Sequence, residues 1–179
     1  CREEGDFKLL KKASKEFGFR LIGIKPVKIN STYVSSTEIR KKIERGDLKG
    51  ASKMLGRPVT VLGTVIKGRS IGRKLGFPTA NIDPHHEAIP PSGVYVVDVR
   101  IDKRIFKGIL NIGTRPTFYE QSPPTIELHI FNYKKNIYGK DIEIIFKIKI
   151  RNERKFSSIE FLRKQIEKDV LRAKSYPYI

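Results

Sequence analysis

The sequence contains no tryptophan and a single cysteine, Cys1. One thiol excludes a disulfide framework and argues against a cysteine-based zinc site. No apolar run reaches the roughly 18 residues that a spanning helix needs, so no membrane segment is expected. Neither the Gly-x-x-x-x-Gly-Lys-Ser/Thr loop nor the Gly-x-Gly-x-x-Gly fingerprint occurs, which removes the two commonest phosphate-cradling motifs. Internal repeats and low-complexity stretches are absent as well. The opening Cys1-Arg2-Glu3-Glu4 has neither an initiator methionine nor a signal peptide. It reads as an interior point of a longer chain, with the cytoplasm as default compartment. Acidic residues are scarce: 19 Asp and Glu face 37 Lys and Arg, a net charge of +18. That excess suits an anionic partner such as a nucleotide, a nucleic acid or a membrane surface. It is spread along the chain with no basic tail, which fits a lysine-rich background equally well.

What is present is a globular composition. The 179 residues are 39% hydrophobic and 9% aromatic, enough for a core of one domain or slightly more. Residues 1–56 read as helix, strand, helix, helix. Phe7, Leu9, Leu10, Ala13 and Phe17 recur near helical spacing, which predicts a helix over 6–17 stopped by Gly18. Residues 19–24 are a short strand candidate. Ser35 with Glu38 three residues on has capping-box spacing and predicts a helix start, continued by Ile39 and Ile43. A second short helix is expected over 47–54, ending at Gly56. This pattern resembles the end of an α/β nucleotide-binding domain. From Pro58 the periodicity turns to strands: 59–65, 94–101, 104–112, 125–133 and 142–150. In the last of these Ile142, Ile144, Phe146, Ile148 and Ile150 share one face. Short strands punctuated by Gly and Pro predict a small antiparallel barrel. Ser157 and Ser158 open a final helix with Ile159, Leu162, Ile166, Val170 and Leu171 along one side.

Four segments could carry chemistry. Residues 68–81 hold Gly68, Gly72 and Gly76 with Arg69, Arg73 and Lys74, followed by Pro78, Thr79, Ala80 and Asn81. Glycines let backbone N–H groups approach phosphate oxygens. Thr79 and Asn81, two apart on a strand, share a face and offer oxygen ligands to Mg²⁺. Spacing alone equally allows a hairpin loop with solvated arginines. In Thr125–Ile130 the apolar residues face one way while Glu127 and His129 face the other. Glu127 is either a general base or a carboxylate on a wet sheet face. Asn111 through Phe118, including Thr114, Arg115 and Thr117, is a strand running into a polar loop. Arg151, Glu153 and Phe156 precede the last helix, where they either frame a ligand or cap the helix. The adjacent His85 and His86 read as surface residues.

Taken in order, these segments resemble one family. They are Gly72-Arg73-x-Leu75-Gly76-Phe77-Pro78-Thr79-Ala80-Asn81, Gly93-Val94-Tyr95, Asn111–Phe118, Glu127-x-His129, Tyr138-Gly139-Lys140, Arg151-x-Glu153-x-x-Phe156 and Gln165-Ile166-x-x-Asp169. Together they are similar to the riboflavin kinase module of bacterial bifunctional riboflavin kinase/FMN adenylyltransferases, over roughly 57–175. The Val34-Ser35-Ser36-Thr37-x-Ile39-Arg40 segment resembles the end of the adenylyltransferase domain.

The resemblance implies a mainly β fold, a six-stranded antiparallel Greek-key barrel with a C-terminal helix over 57–179. Ahead of it, 1–56 would be an incomplete α/β nucleotidyltransferase segment. It implies phosphorylation of the riboflavin 5′-hydroxyl by Mg-ATP to give FMN and ADP, with small-molecule substrates and neither nucleic acid nor membrane as partner. Thr79 and Asn81 would hold Mg²⁺. Gly68, Gly72, Arg73, Gly76 and Pro78 would join them in binding ATP, and Glu127 would be the general base. Asn111, Thr114, Arg115, Thr117, Arg151, Glu153 and Phe156 would line the flavin site. Ser35, Ser36, Thr37 and Arg40 would remain from the adenylyltransferase, whose N-terminal phosphate-binding half is not in the sequence, so FAD formation is not expected from this chain. The competing expectation is a non-catalytic flavin- or RNA-binding barrel.

Overall fold

A computed structural model describes residues 3–68, 72, 75–85, 87–113 and 124–177. The chain divides into two compact units, Cys1–Val34 and Ser35–Ile179.

In the first unit, helix α1 (Glu3–Glu16) covers the expected span and stops ahead of Gly18, whose φ of +69° is the left-handed geometry that glycine tolerates. Residues 19–24 form no strand, contrary to expectation. Their sequence does not alternate, and no neighbouring strand supplies a ladder to satisfy their backbone groups. The β structure lies further on, as a hairpin of β1 (Lys28–Ile29) and β2 (Thr32–Tyr33). Its turn places Asn30 and Ser31 both at positive φ, the handedness that matches strand twist in a two-residue hairpin. Phe7 lies against Gly23, while Phe17 and Ile24 are 74% and 90% exposed.

The second unit opens with two capped helices. Ser35 accepts the Glu38 N–H at the start of α2 (Ser36–Glu44). Asp47 accepts the Gly50 N–H (2.9 Å) at the start of α3 (Leu48–Leu55). Gly56, at φ +67°, ends α3. Lys42 and that backbone N–H hold the Asp47 carboxyl below its usual range. Ile43 and Ala51 bury into the same core as the strands that follow.

Six strands then close into an antiparallel barrel: β3 (Thr60–Ile66), β4 (Ala80–Pro84), β5 (Gly93–Ile101), β6 (Arg104–Gly113), β7 (Thr125–Ile130) and β8 (Asp141–Arg151). Their spatial order is β3-β4-β7-β6-β5-β8. The run β7-β6-β5-β8 is a Greek key, since β8 returns to pair with the first strand of a meander. Alternate residues fill the interior: Val61, Val65, Ile82, Val97, Val99, Leu110, Ile112, Ile126, Leu128, Ile142 and Ile144 are all 4% exposed or less. Truncating Leu110 to alanine in this close-packed interior should cost about 2–5 kcal/mol. The denaturant midpoint should fall with an unchanged m-value.

Strand β8 departs from the expected single face. Its register against β5 shifts between Val96 and Val97 and again between Val94 and Tyr95. Each irregularity adds a residue to β8 and reverses its alternation locally. Ile142, Ile144 and Phe146 point inward, but Ile148 is 38% exposed and Ile150 packs on the barrel exterior. The second shift sets Arg151 opposite Val94, on the outer face.

Helix α4 (Ile159–Ser175), capped by Ser158 as expected, covers that outer face. Val170 and Ala173 bury against Val94, Val96, Ile109 and Phe131, with Ile166 and Phe77 alongside. Ile159 and Leu171, placed on the apolar side by the sequence pattern, are instead 72% and 68% exposed. The buried stripe is narrower and runs through Leu162, Ile166, Asp169, Val170 and Ala173, about one residue per turn.

Candidate active site

The site forms where three strands bring polar residues to the outside of the barrel. Glu127 in mid-β7 lies in register with Asn81 of β4 on one side and Asn111 of β6 on the other. Directly opposed residues in antiparallel strands share a face. Ile126 and Leu128 fill the barrel, so Glu127 and its two amide neighbours stand on the exterior. Thr79, two residues before Asn81, continues that row.

A cavity of about 350 Å³ sits here, between the barrel exterior and α4. Its strand wall includes Val94, Ile109, Asn111, Glu127 and His129. The segment ahead of β4 gives Gly72, Leu75, Phe77 and Thr79, and the end of β8 with the stretch after it gives Arg151, Glu153, Arg154 and Phe156. Leu162, Ile166 and Asp169 of α4 close it. A second cavity of about 290 Å³ shares Thr79 and is otherwise lined by Pro78, Ala80, inner residues of β7 and the 133–138 turn. That turn contributes Tyr133, Lys134 and Lys135.

The glycines here serve close approach. Gly72 accepts from the Leu75 and Phe77 N–H groups (3.1 and 2.8 Å), closing a tight turn. A Cβ at Gly72 would collide with the Phe77 carbonyl oxygen and come within 2.9 Å of Thr79 Oγ1. A Cβ at Gly68 would fall on Asn81 Nδ2. Both expected oxygen ligands therefore lie against backbone that only glycine leaves open. Gly76 has φ +88°. The turn is further held by His129, whose Nδ1 donates to the Pro78 carbonyl oxygen (2.8 Å). The His129 ring meets Phe77 and Phe131 edge-on, at 5.9 and 5.6 Å.

The residues at the α4 end of the cavity are interlinked. Arg151 Nε and Nη2 donate to Asp169 Oδ2 at 2.9 and 2.8 Å. Gln165 Nε2 donates to Asp169 Oδ1 at 2.7 Å, and Arg154 donates to Gln165 Oε1. The Arg151 and Arg154 guanidinium groups lie 5.8 and 4.9 Å from the Phe156 ring. Glu153 reaches back beside Gly113, where a Cβ would come within 2.7 Å of its Oε1.

Among the residues singled out from sequence, Gly72, Thr79, Asn111, Glu127, Arg151, Glu153 and Phe156 meet in the first cavity, and Pro78 and Thr79 in the second. Asn81 adjoins Glu127 in register. Arg69, Arg73, Lys74, Thr114, Arg115, Thr117 and His86 lie outside the described residues. Ser35 is occupied as the α2 cap; Ser36, Thr37 and Arg40 follow it on α2, and none of the four lines either cavity. His129, Arg154, Leu162, Ile166 and Asp169 also line the first cavity, although none of them was named as a site residue from the sequence. The visible signal for Asp169 was an acid on the apolar stripe of the last helix, between Ile166 and Val170.

Among the described residues no helix is long and apolar enough to cross a membrane. The family profile described as "Flavokinase: Riboflavin kinase" matches residues 55–177. The bifunctional riboflavin kinase/FMN adenylyltransferase of Haemophilus influenzae is 43% identical over 98% of this chain and 57% of its own length. That of Bacillus subtilis is 42% identical over 80% of this chain and 46% of its length, and that of Escherichia coli K12 36% over 97% and 55%. The chain thus spans about half the length of these curated relatives. A solved Streptococcus pneumoniae structure, described as a macrolide-efflux protein, superposes with a TM-score of 0.77 at 31% identity, covering 93% of this chain and 55% of that one. On the profile match, whose span includes the segments that build the two cavities, the chain belongs to the riboflavin kinase family.

Proposed function

We propose that this chain phosphorylates riboflavin, moving the γ-phosphoryl group of ATP to the 5′-hydroxyl to give FMN and ADP. The observation that carries the reading is the convergence of Gly72, Thr79, Asn111, Glu127, Arg151, Glu153 and Phe156 on one cavity, although the sequence scatters them over half the chain. The O5′–P bond forms as the bond from the γ-phosphorus to the β–γ bridging oxygen breaks. Glu127 accepts the hydroxyl proton and ADP leaves with the bridging electrons. Phosphoryl transfer asks the protein mainly for positioning and charge neutralisation, and the parts suit that demand. The apolar walls around Val94, Ile109, Phe156 and Ile166 fit a planar flavin ring. The second cavity, sharing Thr79 and edged by Tyr133, Lys134 and Lys135, fits the nucleotide. The reacting groups would then meet at Thr79 beside Glu127.

Thr79 and Asn81 fit Mg²⁺. Both offer oxygen donors, and each side chain packs so closely on a glycine, Thr79 on Gly72 and Asn81 through its Nδ2 on Gly68, that a Cβ there would displace it. Bound there, the ion would neutralise phosphate charge. Gly68, Gly72 and Gly76, with Arg73, would border the phosphates, and Thr114, Arg115 and Thr117 would complete the flavin side.

Residues 1–56 are assigned to the adenylyltransferase part of a bifunctional protein and 57–179 to the kinase. Ser35, Ser36, Thr37 and Arg40 belong to the former. The likeness to bifunctional relatives along nearly the whole chain supports this division, while half of their length has no counterpart here. Purified chain incubated with riboflavin, ATP and Mg²⁺ should yield FMN and ADP in equal amounts by flavin and nucleotide chromatography. Flavin binding with no ADP release would favour a non-catalytic barrel.

A further inference from the structure

We infer that Asp169 is a positioning residue for the flavin cavity, setting Arg151 directly, and Arg154 through Gln165, against the ring of Phe156. The inference rests on the riboflavin kinase reading and names a residue that sets the affinity of its flavin site.

Asp169 is the one charged residue among the described residues that is buried, at 4% exposure. It sits on the stripe of α4 that otherwise carries Leu162, Ile166, Val170 and Ala173. An apolar side chain would pack there without the cost of desolvating a carboxylate, and replacing such pairs by hydrophobic residues is often neutral or stabilising. Stability is therefore a poor reason for an acid at this place. Geometry supplies a better one. One carboxylate oxygen receives two N–H groups of Arg151 and the other receives Gln165, which in turn accepts from Arg154. Charge-assisted pairs of this kind fix a guanidinium in plane and orientation. Arg151 comes from the strand end that the second β8 irregularity turns outward, and Arg154 from the irregular segment after it. Both cations converge on Phe156, which belongs to no helix or strand. The ring's position thus depends on side chains that α4 holds. Asp169, Arg151, Arg154 and Phe156 all line the cavity, so the network forms its wall.

That wall lies on the side of the cavity formed by α4 and the 151–156 segment, away from the row of Thr79, Glu127 and Asn81. Loosening it should weaken flavin binding in ground and transition states alike, which raises KM more than it lowers kcat. For Asp169→Asn, the KM for riboflavin should rise about tenfold. The kcat should fall by less than about threefold and the KM for ATP should hold. Because an uncompensated Arg151 could unfold the protein, the companion variant is Arg151→Met/Asp169→Leu, which removes both charges together. It should melt near the parent temperature and still show the raised riboflavin KM, matched by a weaker Kd from riboflavin fluorescence quenching without ATP. A double variant with parental KM and Kd overturns the inference, as does a fall confined to kcat or an equal rise in both KM values. Should the parent chain quench riboflavin but form no FMN, the kinase reading fails instead, and the quenching titration alone decides the role of Asp169.

Discussion

Glu127→Gln should lower the rate of FMN formation about 10²–10³-fold while leaving the barrel intact. General-base removal commonly costs up to about 10⁴-fold, but the transition state of phosphoryl transfer is loose. Proton removal from the attacking hydroxyl therefore carries a limited share of the barrier, which places the expectation in the lower part of that range. The substitution keeps volume and stays on the exterior face, between Asn81 and Asn111, so it opens no cavity in the core and adds no bulk. Denaturant midpoint and riboflavin affinity should both stay near parental values. The measurement is kcat from single-substrate saturation curves, with fluorescence titration as the binding control. A kcat within threefold of the parent would remove Glu127 from the chemistry and leave positioning as the whole of catalysis.

The row of Asn81, Glu127 and Asn111 also shows what the sequence could and could not disclose. Each residue lies on a recognisable strand, and the alternation of Thr125–Ile130 correctly separates Glu127 from the core. Yet a glutamate flanked by isoleucine and leucine is what any wet sheet face looks like. The distinguishing fact is that β4 and β6 flank β7 in this register, and register between segments far apart in sequence follows from barrel closure. The ordered motifs, through family resemblance, named Asn81, Glu127 and Asn111 ahead of that geometry, which sets the three in one row. The capped helices were legible because their signals are local: Ser35 with Glu38, Gly56 at the end of the second, and Ser158. The β8 pattern misled for the opposite reason. Its isoleucines alternate without a break, and the reversal at Ile148 comes from the partner strand β5. The second irregularity, between Val94 and Tyr95, sets Arg151 back on the outer face beside the cavity, so an apparent defect in the sheet builds part of the site. At 19–24, apolar residues suggested a strand that has no neighbour to pair with.

Gly72→Ala tests the other half of the site, where the chain is shaped for close approach. The added methyl would meet the Phe77 carbonyl oxygen, a backbone atom that cannot swing aside as a side-chain tip can. It would also press on Thr79 Oγ1 and Cγ2, at 2.9 and 3.0 Å. The conflict is relieved only if the turn at Gly72 moves away from the Phe77–Thr79 segment. That segment is tied to β7 by the His129–Pro78 hydrogen bond and the Phe77 ring contact, so the strain falls on the turn and on Thr79. A displacement of about 1 Å in a positioning group can cost about 10²-fold in rate. The FMN-forming kcat should accordingly drop about 10²-fold, with the KM for ATP raised, since Thr79 borders both cavities. The stability cost should be no more than the 1–3 kcal/mol typical of overpacking, because the turn lies outside the barrel core. Riboflavin affinity should change least, because the α4 end of the cavity lies apart from this turn. Glu127→Gln leaves ATP binding alone and Gly72→Ala does not, so the two variants separate the base from the phosphate-positioning turn. Parental kinetics in Gly72→Ala would mean that the turn adjusts freely and that Thr79 does not depend on it.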